Sequence, residues 1–438
     1  MANVSLNIKY FKKLAKDNLP LFVMSKTFLF ILAILPFATL LSVWAGSTFG
    51  YIEVFRAFKE IVLLLLIPFA VWLFMEDRRL TQKIFKNRIN QLILFYAGIN
   101  ILMWAFRRGE ADAAIASIMF NLRWLVVFVW AQIIAHKLPK GIRDLSIKIV
   151  LITGGAIAIF ATLQVLFLPG DFLTHFGFGP ETIEPYLTID ANESFPRVNG
   201  SLRGPNPLGA YMVILLSLSA WVYMKWKKWR PYILTLIPFI LISLYGSQSR
   251  SAWVATVVAI SVFTFVYVWR NKPKLKKIML SALASLLVLM PVTYFAIKDT
   301  DFYQFRILHN DPSDKKHLDS NTSRINSYKR AISSIVKNPL GDGPGTSGHA
   351  SNYSSKPRFS ENYYLQVAQE LGIAGLAVLL GILILVGWNL WRQTDLFGLS
   401  LLASFMGLLT INLFLLSWND DVITMSWWAL AGLYLARV

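Results

Sequence analysis

Thr27-Phe28-Leu29-Phe30-Ile31-Leu32-Ala33-Ile34-Leu35-Pro36-Phe37-Ala38-Thr39-Leu40-Leu41-Ser42-Val43-Trp44-Ala45 contains no charged side chain. Wound as an α-helix, a run of this length spans roughly 28 Å. The hydrocarbon layer of a bilayer is about 30 Å thick. The stretch is also long enough to stay as a helix rather than be removed as a leader. Similar runs recur at 57–75, 89–106, 113–135, 147–168, 207–224, 231–246, 251–269, 278–297, 363–388, 397–417 and 421–437. The chain of 438 residues is 55% hydrophobic, with a mean hydropathy of +0.52. These features predict an all-α integral membrane protein of about 12 transmembrane helices. The run at 231–246 is the shortest of them, and no internal repeat marks an inverted-repeat transporter.

The formal net charge is +19. Its placement decides between a nucleic-acid surface and membrane topology. Alternate connecting segments are strongly basic. They hold Lys9, Lys12, Lys13 and Lys16, then Arg78, Arg79, Lys83, Lys86 and Arg88, then Lys137, Lys140, Arg143 and Lys148. Lys225, Lys227, Lys228 and Arg230 follow, then Arg270, Lys272, Lys274, Lys276 and Lys277. The intervening short loops hold few basic residues: Arg56 with Lys59, Arg107 with Arg108, Arg197 with Arg203, and Arg250. Lys and Arg concentrate in cytoplasmic loops, so both termini are expected in the cytoplasm and no nucleic-acid partner is expected. The same rule puts the loop 169–206, the turn at Ser247–Ser251 and the long loop 298–362 outside. The expected organisation is residues 1–297 with nine spans, the large extracytoplasmic loop 298–362, and residues 363–438 with three more spans. The large loop is expected to be partly helical, over Ser323 to Val336. The absence of cysteine excludes disulfides, thiol nucleophiles and cysteine-ligated metals.

Four polar constellations interrupt the apolar pattern. Pro196-Arg197-Val198-Asn199-Gly200-Ser201-Leu202-Arg203-Gly204-Pro205-Asn206-Pro207 stands at the mouth of the sixth span. Arginine presents a rigid fork of donors matched to phosphate oxygens, and a helix N-terminus favours an anion. An ordinary turn with interfacial arginines would look the same. Ser247-Gln248-Ser249-Arg250-Ser251 puts a second arginine in a tight polar turn, and Arg123, near Asn121, is charged inside the fourth span. Arg250 either snorkels to lipid headgroups or faces a polar cavity in a functional site; Arg123 either faces such a site or forms a structural ion pair. The run Asn338-Pro339-Leu340-Gly341-Asp342-Gly343-Pro344-Gly345-Thr346-Ser347-Gly348-His349 contains G-x-G-x-x-G. No βαβ unit surrounds it, so a dinucleotide site is excluded and a shaped loop is expected. Glu361-Asn362 closes the long loop. Glu361 either compensates the next helix's N-terminal charge or acts as general base for a hydroxyl, and His349 is the other candidate base. His309 and His317 lie in a polar, solvated stretch. No metal-ligand spacing is present; the pair Asp420-Asp421 alone does not make one.

In this order, Arg197-x-x-Gly200 with Pro205-Asn206, then Ser249-Arg250, then Asn338-Pro339-Leu340-Gly341-x-Gly343-x-Gly345, then Glu361-Asn362 with Gly372-x-x-Gly375, the chain resembles the O-antigen ligase/O-antigen polymerase superfamily of bacterial membrane glycan transferases. The resemblance extends over most of the chain in span number and in the position of the large loop. It implies a GT-C-like glycosyltransferase in the bacterial inner membrane, with its site on the extracytoplasmic face. The implied donor is an undecaprenyl-pyrophosphate-linked glycan and the acceptor a hydroxyl. Arg197, Arg203 and Arg250 would bind pyrophosphate, Glu361 or His349 would act as base, and Asn206 and Asn362 would support them. The resemblance implies neither cofactor nor metal, and membrane lipid, a flippase and a chain-length regulator as partners. Ligases of the family usually carry histidine where this chain has Glu361, which favours polymerase over ligase. A transporter or lipid flippase is the alternative from another class.

Overall fold

The computed structural model describes residues 8–107, 109–189, 192–278, 295–296, 298–300 and 320–437. Its helices begin with α1 (Ile8–Asp17), α2 (Leu19–Ile34), α3 (Ala38–Phe49), α4 (Ile52–Leu65) and α5 (Ile67–Glu76). They continue with α6 (Arg78–Phe85), α7 (Arg88–Arg107), α8 (Ala111–Lys137) and α9 (Gly141–Leu166). After a short hairpin of β1 (Leu187–Ile189) and β2 (Asn192–Arg197) come α10 (Pro205–Lys225), α11 (Arg230–Gly246) and α12 (Arg250–Asn271). The described part closes with α13 (Ser320–Lys337), α14 (Tyr363–Arg392), α15 (Leu396–Ile411) and α16 (Asp421–Leu435). Among the described residues, nine helical segments are long and apolar enough to cross a membrane. They correspond to the first eight expected spans and the tenth. The expected ninth span, 278–297, lies almost wholly outside the described residues, as do His309 and His317. The protein is an all-α integral membrane protein.

Several spans are built from broken helices, each break with a local cause. Pro36 lies in a 3₁₀ turn between α2 and α3, and Pro68 opens α5 just after α4. Proline removes a backbone donor and ends or kinks a helix. Close by, the loop residue Ser201 donates its Oγ–H to the carbonyl of Pro36 at 2.5 Å.

The last two helices are short, at 16 and 15 residues. The length of α16 follows from its position. Every residue from Val422 to Leu435 is buried, so it is wrapped by protein rather than lipid. A helix apolar all round belongs in a core. It packs along α8. A Cβ on Gly432 would lie 2.5 Å from the Phe128 carbonyl oxygen, which is the close backbone approach that small residues permit between membrane helices. Trp124 and Trp428 meet at 4.4 Å between ring centroids, and Trp418 stacks on Trp124 at 6.1 Å. This aromatic block underlies the polar end of the bundle, where α8, α10, α12, α14 and α16 all begin.

Candidate active site

The site grows from the turn between α11 and α12. Ser247 to Ser249 are buried, and Gln248 has a positive φ of 48° without being glycine. A strained residue of this kind persists only where its surroundings hold it. Gly209, in the first turns of α10, packs against this turn: a Cβ there would lie 2.7 Å from Ala252 Cβ and 2.9 Å from Ser247 Oγ. The N-terminal ends of α10 and α12 therefore meet, and the dipole at a helix N-terminus favours an anion.

Arg197, at the end of β2, is tied to the same turn. Its Nε donates to the Ser247 carbonyl at 3.1 Å and its Nη2 to Asn206 Oδ1 at 2.7 Å. The next residue adds a backbone bond, Val198 N–H to the Gly246 carbonyl at 3.1 Å. Arg197, Asn206 and Arg250, the first residue of α12, are thus gathered around one turn, although 53 positions separate the two arginines in sequence. Arg203 is exposed. It is close enough to His349 and to Asp420 and Asp421 for its charge to act on all three.

His349 lies on a 3₁₀ turn, Gly348–Tyr353, with its ring edge-on to Phe359 at 5.1 Å. Burial, then the positive charges of Arg203 and Arg123, push its pKa well below the ordinary histidine value. The imidazole is therefore neutral at pH 7, the state a general base requires.

Glu361 is held differently. Its Oε2 accepts from Arg324 Nε at 2.6 Å, and Arg324 stands on α13. The same helix is fastened by Ser327 Oγ to the Phe359 carbonyl at 2.7 Å and by Tyr328 OH to the Leu413 carbonyl at 2.6 Å. Asn362 caps α14, accepting from Leu365 N–H at 3.0 Å and donating to the Leu413 carbonyl at 2.9 Å.

Beneath the site lies a charge network that the sequence reading did not assemble. Arg123 Nη1 donates to Glu60 Oε1 at 2.7 Å, and its Nη2 to the Asn419 carbonyl. Lys59 Nζ lies 2.8 Å from Asp421 and 3.4 Å from Glu60. All of these charged side chains are largely buried. Lys59, expected in an outer loop, instead stands on α4 inside the protein. Of the two readings of Arg123, the ion pair is present. The network continues through Asn419 Nδ2 to Gln366 Oε1 at 2.8 Å. Arg123, charged inside the fourth span, is the local signal that points to it.

In the comparisons with known proteins, residues 236–380 match the family model described as O-antigen ligase. No curated protein matches the chain. The matched segment contains Arg250, the glycine run, His349 and Glu361; Arg197 and Arg203 precede it. The match supports the O-antigen ligase/O-antigen polymerase superfamily and membrane glycan processing of that type.

Proposed function

With residues 236–380 forming an O-antigen ligase family segment, we propose that this membrane protein transfers a glycan from a polyprenyl pyrophosphate to a hydroxyl acceptor, extending a surface polysaccharide. The observation that carries this reading is the gathering of Arg197 and Arg250 at one strained turn where two helices begin. A fixed guanidinium fork beside helix N-termini is suited to a pyrophosphate. Arg203, in the loop before α10, lies close enough to His349 for its charge to act there. In the proposed reaction the acceptor oxygen attacks the anomeric carbon, with inversion, as the bond to the pyrophosphate oxygen breaks. The arginines offset the charge that grows on the departing polyprenyl pyrophosphate, and His349 takes the hydroxyl proton. Glu361 is the second candidate base. The site faces the outside of a bacterial inner membrane, both termini lie in the cytoplasm, and undecaprenyl is the carrier. A flippase supplies the donor and a chain-length regulator acts alongside.

The assignment of the base has a pH signature. His349 must be neutral to act, and its pKa lies below the ordinary value. The transfer rate is therefore flat through neutral pH and falls only as the medium is acidified well below the ordinary histidine value of about 6.5. His349→Asn removes the base and lowers the rate by roughly 10²–10⁴-fold. Glu361→Gln leaves most of the rate in place. Initial rates of both variants between pH 5 and 8 check this; the opposite ranking would transfer the role to Glu361.

A ligase is the second reading, favoured by the description of the matched family. Deletion in cells separates the two. Lipid-linked ladders that collapse to one repeat identify a polymerase, whereas ladders that persist on the carrier but never reach a final acceptor identify a ligase.

A further inference from the structure

Inside α14, Gly372 has φ 70° and ψ −176° and breaks the helix. A break of this kind frees backbone groups that the helix would have paired. The glycine run takes them up. Asp342 N–H donates to the Gln369 carbonyl at 2.7 Å, Gly343 N–H to the Glu370 carbonyl at 2.9 Å, and Ile373 N–H to the Pro339 carbonyl at 2.9 Å. The approach is so close that a Cβ on Gly341 would lie 2.4 Å from Gly372 N, and one on Gly372 2.5 Å from the Leu340 carbonyl carbon. Both glycines also have positive φ, so only glycine fits both the space and the dihedral angle.

The Glu370 side chain closes the same contact. It is fully buried. Its Oε1 accepts from Gly345 N–H at 3.0 Å, and its Oε2 from Ser117 Oγ at 2.8 Å and Asn121 Nδ2 at 3.4 Å. Next to it, Gln369 Oε1 accepts from Ser347 Oγ at 2.8 Å. Glu370 thus joins three pieces: the kink of α14, the wall of α8 and the glycine run. His349 follows Gly345 by four residues.

We propose that Glu370 is a positioning residue for glycan transfer, its carboxylate clasping the glycine run into the kink of α14 and so fixing where His349 stands. The proposal rests on the reading of His349 as the base. Displacement of a reacting group by about 1 Å can cost about 10²-fold in rate, whereas the arginines that bind the donor are untouched by such a shift.

The test uses the full chain in proteoliposomes, with a synthetic polyprenyl-pyrophosphate oligosaccharide as donor. Glu370→Ala and Glu370→Gln are compared by amide hydrogen exchange over residues 341–349 and by kcat and KM. Glu370→Ala is expected to raise exchange in that segment by about tenfold or more and to lower kcat by about 10²-fold, with KM for the donor within twofold. Glu370→Gln keeps an oxygen for Gly345 and recovers most of kcat. Ser117→Ala, which removes one donor to the same carboxylate, shows the same pattern more weakly and serves if Glu370→Ala does not fold. Unchanged exchange in 341–349, or a rise in KM that accounts for the whole loss, overturns the proposal. Increased exchange in Glu370→Ala together with a wild type that transfers nothing overturns the glycan-transfer reading and leaves only the clasp.

Discussion

Arg197→Ala is expected to lower glycan transfer by about 10²–10³-fold, the usual cost of removing one fixed donor to a developing negative charge, while the protein still inserts and folds. The fold survives because β2 and the loop after it are anchored by groups other than the guanidinium. Val198 N–H holds the Gly246 carbonyl at 3.1 Å. Gly200 N–H donates to Gln164 Oε1 at 2.8 Å, and Asn199 Nδ2 donates to the Glu184 carbonyl at 2.9 Å. The substitution therefore removes charge and the donor fork from the turn without releasing the segment. Arg197→Lys keeps the charge but not the planar fork, and arginine and lysine are not equivalent at such a site; it should fall between alanine and the wild type. Transfer rates, with thermal melting of the same preparations, check both. A wild-type chain-length distribution in cells producing Arg197→Ala would remove Arg197 from the reaction.

The largest effect on stability is expected at Arg123. It is buried in α8 and shared between the Glu60 carboxylate and the Asn419 carbonyl. Arg123→Met leaves Glu60 near Lys59 but strips its shortest partner, and leaves the Asn419 carbonyl without this donor. Breaking a buried ion pair from one side typically costs about 3–5 kcal/mol, because the remaining charge stays out of water. Replacing both members with apolar groups is often close to neutral. The double variant Arg123→Met/Glu60→Met should therefore recover much of the stability lost by Arg123→Met alone. Unfolding of the purified variants in mixed micelles tests this through the coupling between the two positions. Strictly additive losses would show that the pair contributes nothing beyond its separate members.

Much of the fold is legible in the sequence because the bilayer imposes one rule on every span. A run such as Thr27 to Ala45 must bury its own backbone groups, and only a helix of sufficient length does so. The same rule is silent about what protein, rather than lipid, surrounds. The shortness of α16 makes sense only once Trp124, Phe128 and Trp418 are packed around it. Arg197 and Arg250 stand out in the sequence because each lies in a small polar island beside a span. Lys59 and Glu60 do not, since charges at the end of an apolar run look like ordinary loop residues, and their partners Arg123 and Asp421 are distant along the chain. Glu361 is conspicuous in its motif, yet its partner Arg324 comes from a helix whose docking no local pattern announces. Glu370 is the plainest omission. Within the apolar run of α14 its neighbours suggest a simple span, and its purpose appears only when the kink at Gly372 brings the glycine run against it.

The most direct measurement combines the purified protein with a chemically defined polyprenyl-pyrophosphate oligosaccharide in sealed proteoliposomes, following both the glycan and the carrier lipid. The account predicts longer lipid-linked glycans, one molecule of polyprenyl pyrophosphate released for each bond formed, and loss of both products with Arg197→Ala. Intact donor after prolonged incubation of wild-type protein, or carrier release that is indifferent to Arg197, would contradict it.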